Sequence, residues 1–127
     1  MKKLAAEFFG TFSLVFAGTG AIIINDVAGG SVSHVGIGLT FGLVVLAMIY
    51  ALDDVSGAHL NPAVTLVFDA AQRLAWRWAA PYVATQTLGA IAASLLLRGM
   101  FPRHPTLGTT SPAGTACSRS FLKSCSL

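Results

Sequence analysis

The sequence predicts an all-α membrane protein with three transmembrane helices and one re-entrant half-helix. The composition indicates a lipid environment: of 127 residues, 54% are hydrophobic and 10% are charged, and the mean hydropathy is +0.72. Soluble domains carry about 25% charged residues. Three apolar runs reach the length of about 20 residues that a membrane-spanning helix needs, and a shorter run follows a glycine-containing loop. We expect residues 1–100 to form one unit, followed by an irregular tail.

The first span is expected at about residues 4–24, directly after Lys2 and Lys3. A secretory signal peptide also has a basic start and an apolar centre, but the length of the run and Glu7 within it argue against one. A carboxylate inside a membrane is costly and usually faces the protein interior with a partner. Glu7 therefore predicts either a buried polar contact or a charge at headgroup level.

The second span is expected at about residues 34–52, after a polar connection at 25–33. Gly38 and Gly42 have G-x-x-x-G spacing, which lets two helix backbones approach closely. Close helix packing is therefore predicted at this face.

The half-helix is expected at about residues 62–72. Asn61 is a favourable N-cap and Pro62 fits the first helical position. At 1.5 Å per residue this helix is only about 16 Å long, too short to cross the membrane. Gly57 and Ala58 precede it in an irregular segment, and irregular backbone at membrane depth must be buried in protein or line a water-filled cavity. The loop therefore indicates a pore.

The third span is expected at about residues 78–97, with Pro81 in its first turn. Three aromatic residues at its start and just before it predict an interfacial belt of Trp76, Trp78 and Tyr82. Small residues four apart predict a second close-packing face at Thr85, Gly89 and Ala93.

The charge distribution predicts the orientation. Lys2, Lys3, Arg73 and Arg77 lie on one side of the membrane, whereas residues 25–33 contain no Lys or Arg. By the positive-inside rule, the N-terminus and the loop before the half-helix are cytoplasmic. We expect a multi-pass protein of the plasma membrane.

Residues 56–65, SGAHLNPAVT, resemble the first Asn-Pro-Ala signature loop of the aquaporin and aquaglyceroporin channels, the major intrinsic proteins. Residues 5–11 (AAEFFGT) and 40–43 (TFGL) resemble the start of this family's first helix and the middle of its second. The resemblance covers roughly residues 3–100. It implies an aquaporin-like half repeat, because the family has six spans and two half-helices in two inverted repeats.

The resemblance implies a passive channel for water and small neutral solutes such as glycerol. The Asn61 amide would donate to a passing water oxygen, although a plain N-cap is its other role, and Pro62 and Ala63 complete the motif. A ladder of backbone carbonyl acceptors would lead to it from Gly57, Ala58, His59 and Leu60. For His59 the carbonyl, and not the imidazole, is the expected contact.

Three side chains outside the loop carry further roles by resemblance. Phe41 matches an aromatic of the family's narrow constriction, where phenylalanine is typical of water-selective members; packing or lipid contact is the alternative. Glu7 would hydrogen-bond the loop backbone. Gln86 would turn inward to Glu7 or the loop, or else form a hydrogen bond between helices.

No catalytic set, phosphate-binding loop or metal-ligand spacing is present in the sequence, so neither an enzyme nor a cofactor or metal site is expected. Scattered basic residues predict no nucleic-acid partner. The expected partners are the lipid bilayer, the solute, and either further copies of the chain or full-length family members. The alternative function is a non-conducting truncated fragment that associates with full-length subunits.

Residues 101–127 are expected to be irregular. The Ser- and Cys-rich end from about Thr115 is typical of a truncated or frameshifted reading frame, and Cys117 and Cys125 are assigned no function.

Overall fold

The computed structural model describes residues 1–73 and 75–109, which fold into four α-helices and no strand. The three long helices have the length and apolar composition to cross a membrane, and the all-α membrane class predicted from the sequence is confirmed. The short helix has nine residues, about 14 Å, and cannot span. In chain order the helices are α1 (Lys2–Val27), α2 (Ser33–Ser56), α3 (Pro62–Ala70) and α4 (Trp76–Met100).

The long helices extend beyond the apolar runs by a few residues at most ends, because helical hydrogen bonding continues into polar residues at the membrane surface. Thus α2 continues past Asp53 to Ser56, where Gly57 adopts a left-handed conformation with φ of 85° and ends the helix. Helix α3 ends at Ala70 and is therefore shorter than predicted. Gln72 has a positive φ of 56°, which does not allow the helix to continue.

Helix α1 lies between α2 and α4 and packs against both, and α3 packs against α4. Helices α1 and α4 approach each other closely at Gly89, where an added Cβ would lie 2.6 Å from the carbonyl oxygen of Phe8. Gly89 and Ala93 are both buried. The small-residue face predicted on the third span therefore forms the α1–α4 contact.

The close packing predicted at Gly38 and Gly42 is wrong for the described residues, since a Cβ added at either would meet no atom within 4 Å. Glycines of α1 make the close contacts instead: Gly10 receives the Leu60 side chain and Gly18 receives the Phe41 ring. G-x-x-x-G spacing predicts a smooth helix face, but it does not tell whether another helix lies against that face.

Tyr82 is not part of an interfacial belt. It is 1% exposed, and its hydroxyl donates to the backbone carbonyl of Ser56 at 2.9 Å. Trp76, 80% exposed, occupies the first position of α4. Because α4 begins there, two residues earlier than predicted, Pro81 lies in its second turn.

After α4, residues 101–109 turn back towards α1. The imidazole Nε2 of His104 lies 3.5 Å from a carboxylate oxygen of Asp26, and Gly108 contacts Thr19. The predicted irregular end from Thr115, with both cysteines, lies outside the described residues.

Candidate functional site

The candidate site is the loop between α2 and α3, residues 57–61, whose backbone is strained. Gly57 is followed by Ala58 with φ of 42°, and Leu60 has φ of 54°. A left-handed conformation is uncommon for residues with a side chain and costs about 1–3 kcal/mol each. Contacts around the loop must therefore hold it in this shape.

Glu7 supplies the central contact. The residue is completely buried, and its two carboxylate oxygens accept four hydrogen bonds. Oε1 accepts from the Ser56 hydroxyl at 2.7 Å and from the backbone N–H of His59 at 3.0 Å. Oε2 accepts from the backbone N–H of Leu60 and from Nε2 of Gln86, both at 2.8 Å. Glu7 thus joins α1, the end of α2, the loop and α4.

The loop carbonyls are used differently from the loop amides. The carbonyl of Leu60 accepts from the Thr11 hydroxyl at 3.1 Å. The carbonyls of Gly57, Ala58 and His59 accept no hydrogen bond from the described residues, whereas all four N–H groups of residues 57–60 donate to protein atoms. The loop thus bonds the protein through its N–H groups and leaves three consecutive carbonyl oxygens without a partner in the part of the chain that the structure describes.

Asn61 begins α3 with an extended backbone, φ −151° and ψ 130°, and Pro62 follows as the first helical residue. Its side-chain Oδ1 accepts from the backbone N–H of Ala63 at 2.8 Å. The residue is exposed, and its amide nitrogen donates to none of the residues that the structure describes. The cap uses the oxygen and leaves the amide hydrogens free, so the two roles considered for Asn61 are compatible.

Thr65 and His59 are buried next to each other on the protein side of the loop. Thr65 is completely buried, and its hydroxyl oxygen lies 3.2 Å from Nδ1 of His59, 2.9 Å from Nε2 of Gln86 and 3.2 Å from the carbonyl of Asn61. Gln86, also completely buried, donates to both Thr65 and Glu7. One network therefore holds both the loop backbone and the imidazole.

Phe41 lies away from this network, in the middle of α2. It is half-buried, and its ring packs against α1 at Gly18, where an added Cβ would overlap the ring. The absence of a side chain at Gly18 therefore gives the Phe41 ring its position.

A cleft of about 640 Å³ opens beside the loop. The His59 imidazole borders it, which the sequence did not predict, together with Phe68 and Tyr82. Charged residues from three parts of the chain also line the cleft. They include one lysine and one arginine that were used above to predict the orientation. These residues are Lys3, Asp53, Asp54 and Arg73.

Sequence reasoning missed four hydroxyl-bearing residues that complete the site: Thr11, Ser56, Thr65 and Tyr82. Each is buried and bonds the loop or a side chain that holds it. The one available signal was weak, namely a hydroxyl on an otherwise apolar helix, which is as often bonded to its own helix backbone.

Comparison with known proteins is consistent with this arrangement. A family model described as major intrinsic protein matches residues 1–123. The aquaporin NIP1-1 of Oryza sativa subsp. japonica is 46% identical over 116 residues, which cover 91% of this chain and 41% of that protein. Aquaporin NIP1-4 of the same plant is 49% identical over 115 residues (90% and 42%), and the putative aquaporin NIP4-1 of Arabidopsis thaliana is 44% identical over 117 residues (88% and 41%).

The chain spans about two fifths of the length of these curated relatives. Their family consists of channels and not of enzymes. The three apolar helices agree with a multi-pass membrane protein, and the family match covers nearly the whole chain. The chain therefore belongs to the major intrinsic protein family and corresponds to the N-terminal half of an aquaporin.

Proposed function

We propose that this chain forms the first half of a passive transmembrane channel for water and small neutral solutes such as glycerol, with Asn61 at the middle of the pore. One observation carries the proposal: the loop turns its N–H groups to the protein and leaves the carbonyls of Gly57, Ala58 and His59 without partners among the described residues. This row ends at the exposed Asn61.

The arrangement suits uncharged hydrogen-bonding molecules. Water or an alcohol donates to the carbonyl oxygens in turn and accepts from the amide hydrogens of Asn61, so each lost contact is replaced by the next. The N-terminus of α3 at Asn61 carries the positive end of the helix dipole, which disfavours cations and protons. Few polar groups on an apolar wall let the solute enter without being trapped.

Phe41 is proposed as a constriction residue that favours water over larger solutes. Its ring rests against Gly18, where no side chain competes for the space. A ring that packs against a neighbouring helix keeps its position and can therefore narrow a passage. The relatives' printed names, all aquaporins, agree with water as the principal solute.

For the location we propose the plasma membrane, with the N-terminus and the loop on the cytoplasmic side. Lys3 and Arg73 border the same cleft beside the loop. Clustering of basic residues at one end of the helices supports a cytoplasmic position for that end.

A second candidate function is supported by α2. No residue in its membrane-spanning segment is buried, and Leu39, Leu43 and Leu46 are among its exposed side chains. An apolar helix with one neighbour is suited to association, either with further copies of this chain or with full-length channel subunits. In that case the chain is a non-conducting fragment.

Stopped-flow light scattering of lipid vesicles distinguishes the channel from the non-conducting fragment. Vesicles containing the purified chain are compared with empty vesicles and with vesicles containing Asn61→Ala at the same protein content. Osmotic shrinkage faster than in empty vesicles, and lost in the variant, is expected for a channel. Since the opposing half-helix of the family enters from the other membrane face, conduction by this chain alone also requires copies in both orientations. Shrinkage no faster than in empty vesicles would favour the non-conducting candidate.

A further inference from the structure

We propose that residues 101–109 form a pH-responsive clasp on the helix pair α1 and α4, which the imidazole of His104 holds closed and which opens when that ring gains a second proton. The clasp lies at the end of α1 opposite to Glu7 and the loop, and none of its residues is proposed to line the passage. The proposal is therefore independent of the channel function.

The segment follows one face of α1 from the end of that helix towards its middle. The imidazole Nε2 of His104 lies 3.5 Å from a carboxylate oxygen of Asp26. Further along the segment, a Cβ added at Gly108 would lie 3.1 Å from Cγ2 of Thr19 and 3.4 Å from Cβ of Ile22. Thr19, Ile22 and Asp26 share one face of the helix, because their spacing is that of successive turns. The contact thus extends over about 10 Å of α1, at 1.5 Å per residue.

Leu107 connects the segment to α4. It is half-buried, and it borders a groove whose walls include Ile91, Leu95 and Arg98 of that helix. The next residue, Gly108, contacts α1. Both Leu107 and Gly108 have a positive φ, 48° and 72° respectively. Because a left-handed conformation is uncommon for a leucine, a specific contact must hold the backbone in this shape.

The His104 ring supplies that contact. Its Nδ1 accepts a hydrogen bond from the backbone N–H of Leu107 at 3.0 Å. A backbone N–H only donates, so this contact assigns the proton of the neutral ring to the other nitrogen, Nε2. Nε2 is the nitrogen beside the carboxylate of Asp26, and a carboxylate only accepts. The contacts on the two sides of the ring therefore favour the same tautomer.

A proton added to Nδ1 removes the contact with Leu107. The ring then has a donor on each nitrogen, and two N–H groups face each other in place of one hydrogen bond. The carboxylate of Asp26 remains a partner for the Nε2–H group in both protonation states. Acid therefore detaches the residues that follow His104, whereas His104 itself stays beside the end of α1.

The charges near the clasp act in both directions. Asp26 favours the charged ring, but its side chain is 52% exposed, so solvent screens the attraction. Arg103 lines a small cavity with His104, and Arg98 borders the groove of Leu107; both guanidinium groups disfavour a further positive charge. Among the described residues, no other titratable group lines this cavity or this groove. The hydrogen bond to Leu107 thus determines the sign, and the clasp is closed at neutral pH and open in acid.

The test uses the full chain in lipid nanodiscs, labelled for NMR. The nitrogen chemical shifts of the His104 ring report which nitrogen carries a proton. Overhauser effects between the Gly108 α-protons and the Thr19 methyl group report the closed clasp, and those between Gly89 and Phe8 report the packing of α1 against α4. Spectra are compared at about pH 8 and about pH 5, the range over which histidine changes its charge.

Two variants accompany the unmodified chain. His104→Asn has no titrating ring, so its Gly108–Thr19 effects are expected to be the same at both pH values. The control His34→Asn removes an exposed histidine near the start of α2 and is expected to behave like the unmodified chain.

At the higher pH, we expect a proton on Nε2 alone in the unmodified chain and in His34→Asn. In acid, we expect a doubly protonated ring, loss of the Gly108–Thr19 effects and retention of the Gly89–Phe8 effects. A proton on Nδ1 at the higher pH would overturn the proposal, as would Gly108–Thr19 effects that persist once the ring is charged.

The variants add two further outcomes that would refute the clasp. These are an acid-induced loss of the Gly108–Thr19 effects in His104→Asn and the absence of that loss in His34→Asn. Joint loss of the Gly108–Thr19 and Gly89–Phe8 effects in acid would also contradict the proposal, since the helices and not the clasp would then have separated.

Discussion

The carboxylate of Glu7 accepts a hydrogen bond from the backbone N–H of His59 at 3.0 Å across 52 positions of the chain. This bond and its neighbour to Leu60 replace the partners that a regular helix would give these amides. The positive φ of Leu60 is thereby maintained, and the carbonyls of residues 57–59 are left without a partner among the described residues. The shape of the loop is thus determined from outside the loop.

Glu7→Gln is expected to destabilise the chain by about 2–4 kcal/mol. A glutamine has one acceptor oxygen, so its amide group faces at least one backbone N–H that then lacks a partner, which costs about 1–3 kcal/mol for each buried group. Thermal unfolding in one detergent, followed by far-UV circular dichroism, measures the change. The exposed carboxylate variant Asp54→Asn is the control; equal melting temperatures for the two variants would contradict the role of Glu7.

Gly89→Ala is expected to destabilise the chain by about 1–3 kcal/mol, because the new Cβ would lie 2.6 Å from the Phe8 carbonyl oxygen and must separate α1 from α4. The same change at Gly42 meets no atom within 4 Å. There alanine is expected to be neutral or to stabilise the helix by up to about 1 kcal/mol. Melting temperatures of the two variants should therefore shift in opposite directions or by clearly different amounts.

Tyr82→Phe removes the hydroxyl that donates to the carbonyl of Ser56. The expected cost is about 1–3 kcal/mol, since this buried carbonyl loses its hydrogen bond. Tyr50→Phe removes a hydroxyl from a residue that is 85% exposed and should change stability by less than about 0.5 kcal/mol. Chemical unfolding of both variants checks this; similar midpoints would show that the Tyr82 hydroxyl contributes nothing.

The variants Asn61→Ser and Asn61→Ala distinguish the role of the side-chain oxygen of Asn61 from that of its side-chain nitrogen. Serine keeps a cap oxygen for the N–H of Ala63, whereas alanine does not, so only alanine should cost about 1 kcal/mol of stability. Neither variant has amide hydrogens to offer to water, so both should lose the osmotic permeability proposed for the chain. A serine variant that conducts as fast as the unmodified chain would show that the amide takes no part in conduction.

Local signals predicted the elements well. Asn61 and Pro62 mark the start of α3 because capping and the fixed φ of proline act within one turn. The ends of helices were less accurate, as at Gln72, because a left-handed residue other than glycine has little local signature. The contact of Glu7 with the loop followed from resemblance and not from periodicity, since partners 52 residues apart share no pattern.

Packing faces were the least predictable feature. Gly38 and Gly42 lie four residues apart, as do Gly89 and its small neighbours Thr85 and Ala93. Of these three glycines, Gly89 alone contacts another helix among the described residues. Tyr82 looked like an interfacial anchor because its type and position suit one, and the carbonyl that it bonds lies 26 positions away. The packing of these glycines and the burial of Tyr82 both depend on how each helix is rotated about its own axis. That rotation is determined by all contacts of the helix together and not by a local sequence pattern.

The four donors to Glu7 lie 49 to 79 positions further along the chain, and Gln86 is the last of them. At a synthesis rate of about 5–20 residues per second, Gln86 follows Glu7 by roughly 4–16 s. Ser56, His59 and Leu60 follow Glu7 by 49 to 53 positions, so the set of hydrogen bonds to Glu7 stays incomplete until Gln86 is synthesised. The complete set of partners for the Glu7 carboxylate is therefore available only after the first part of α4 has been synthesised.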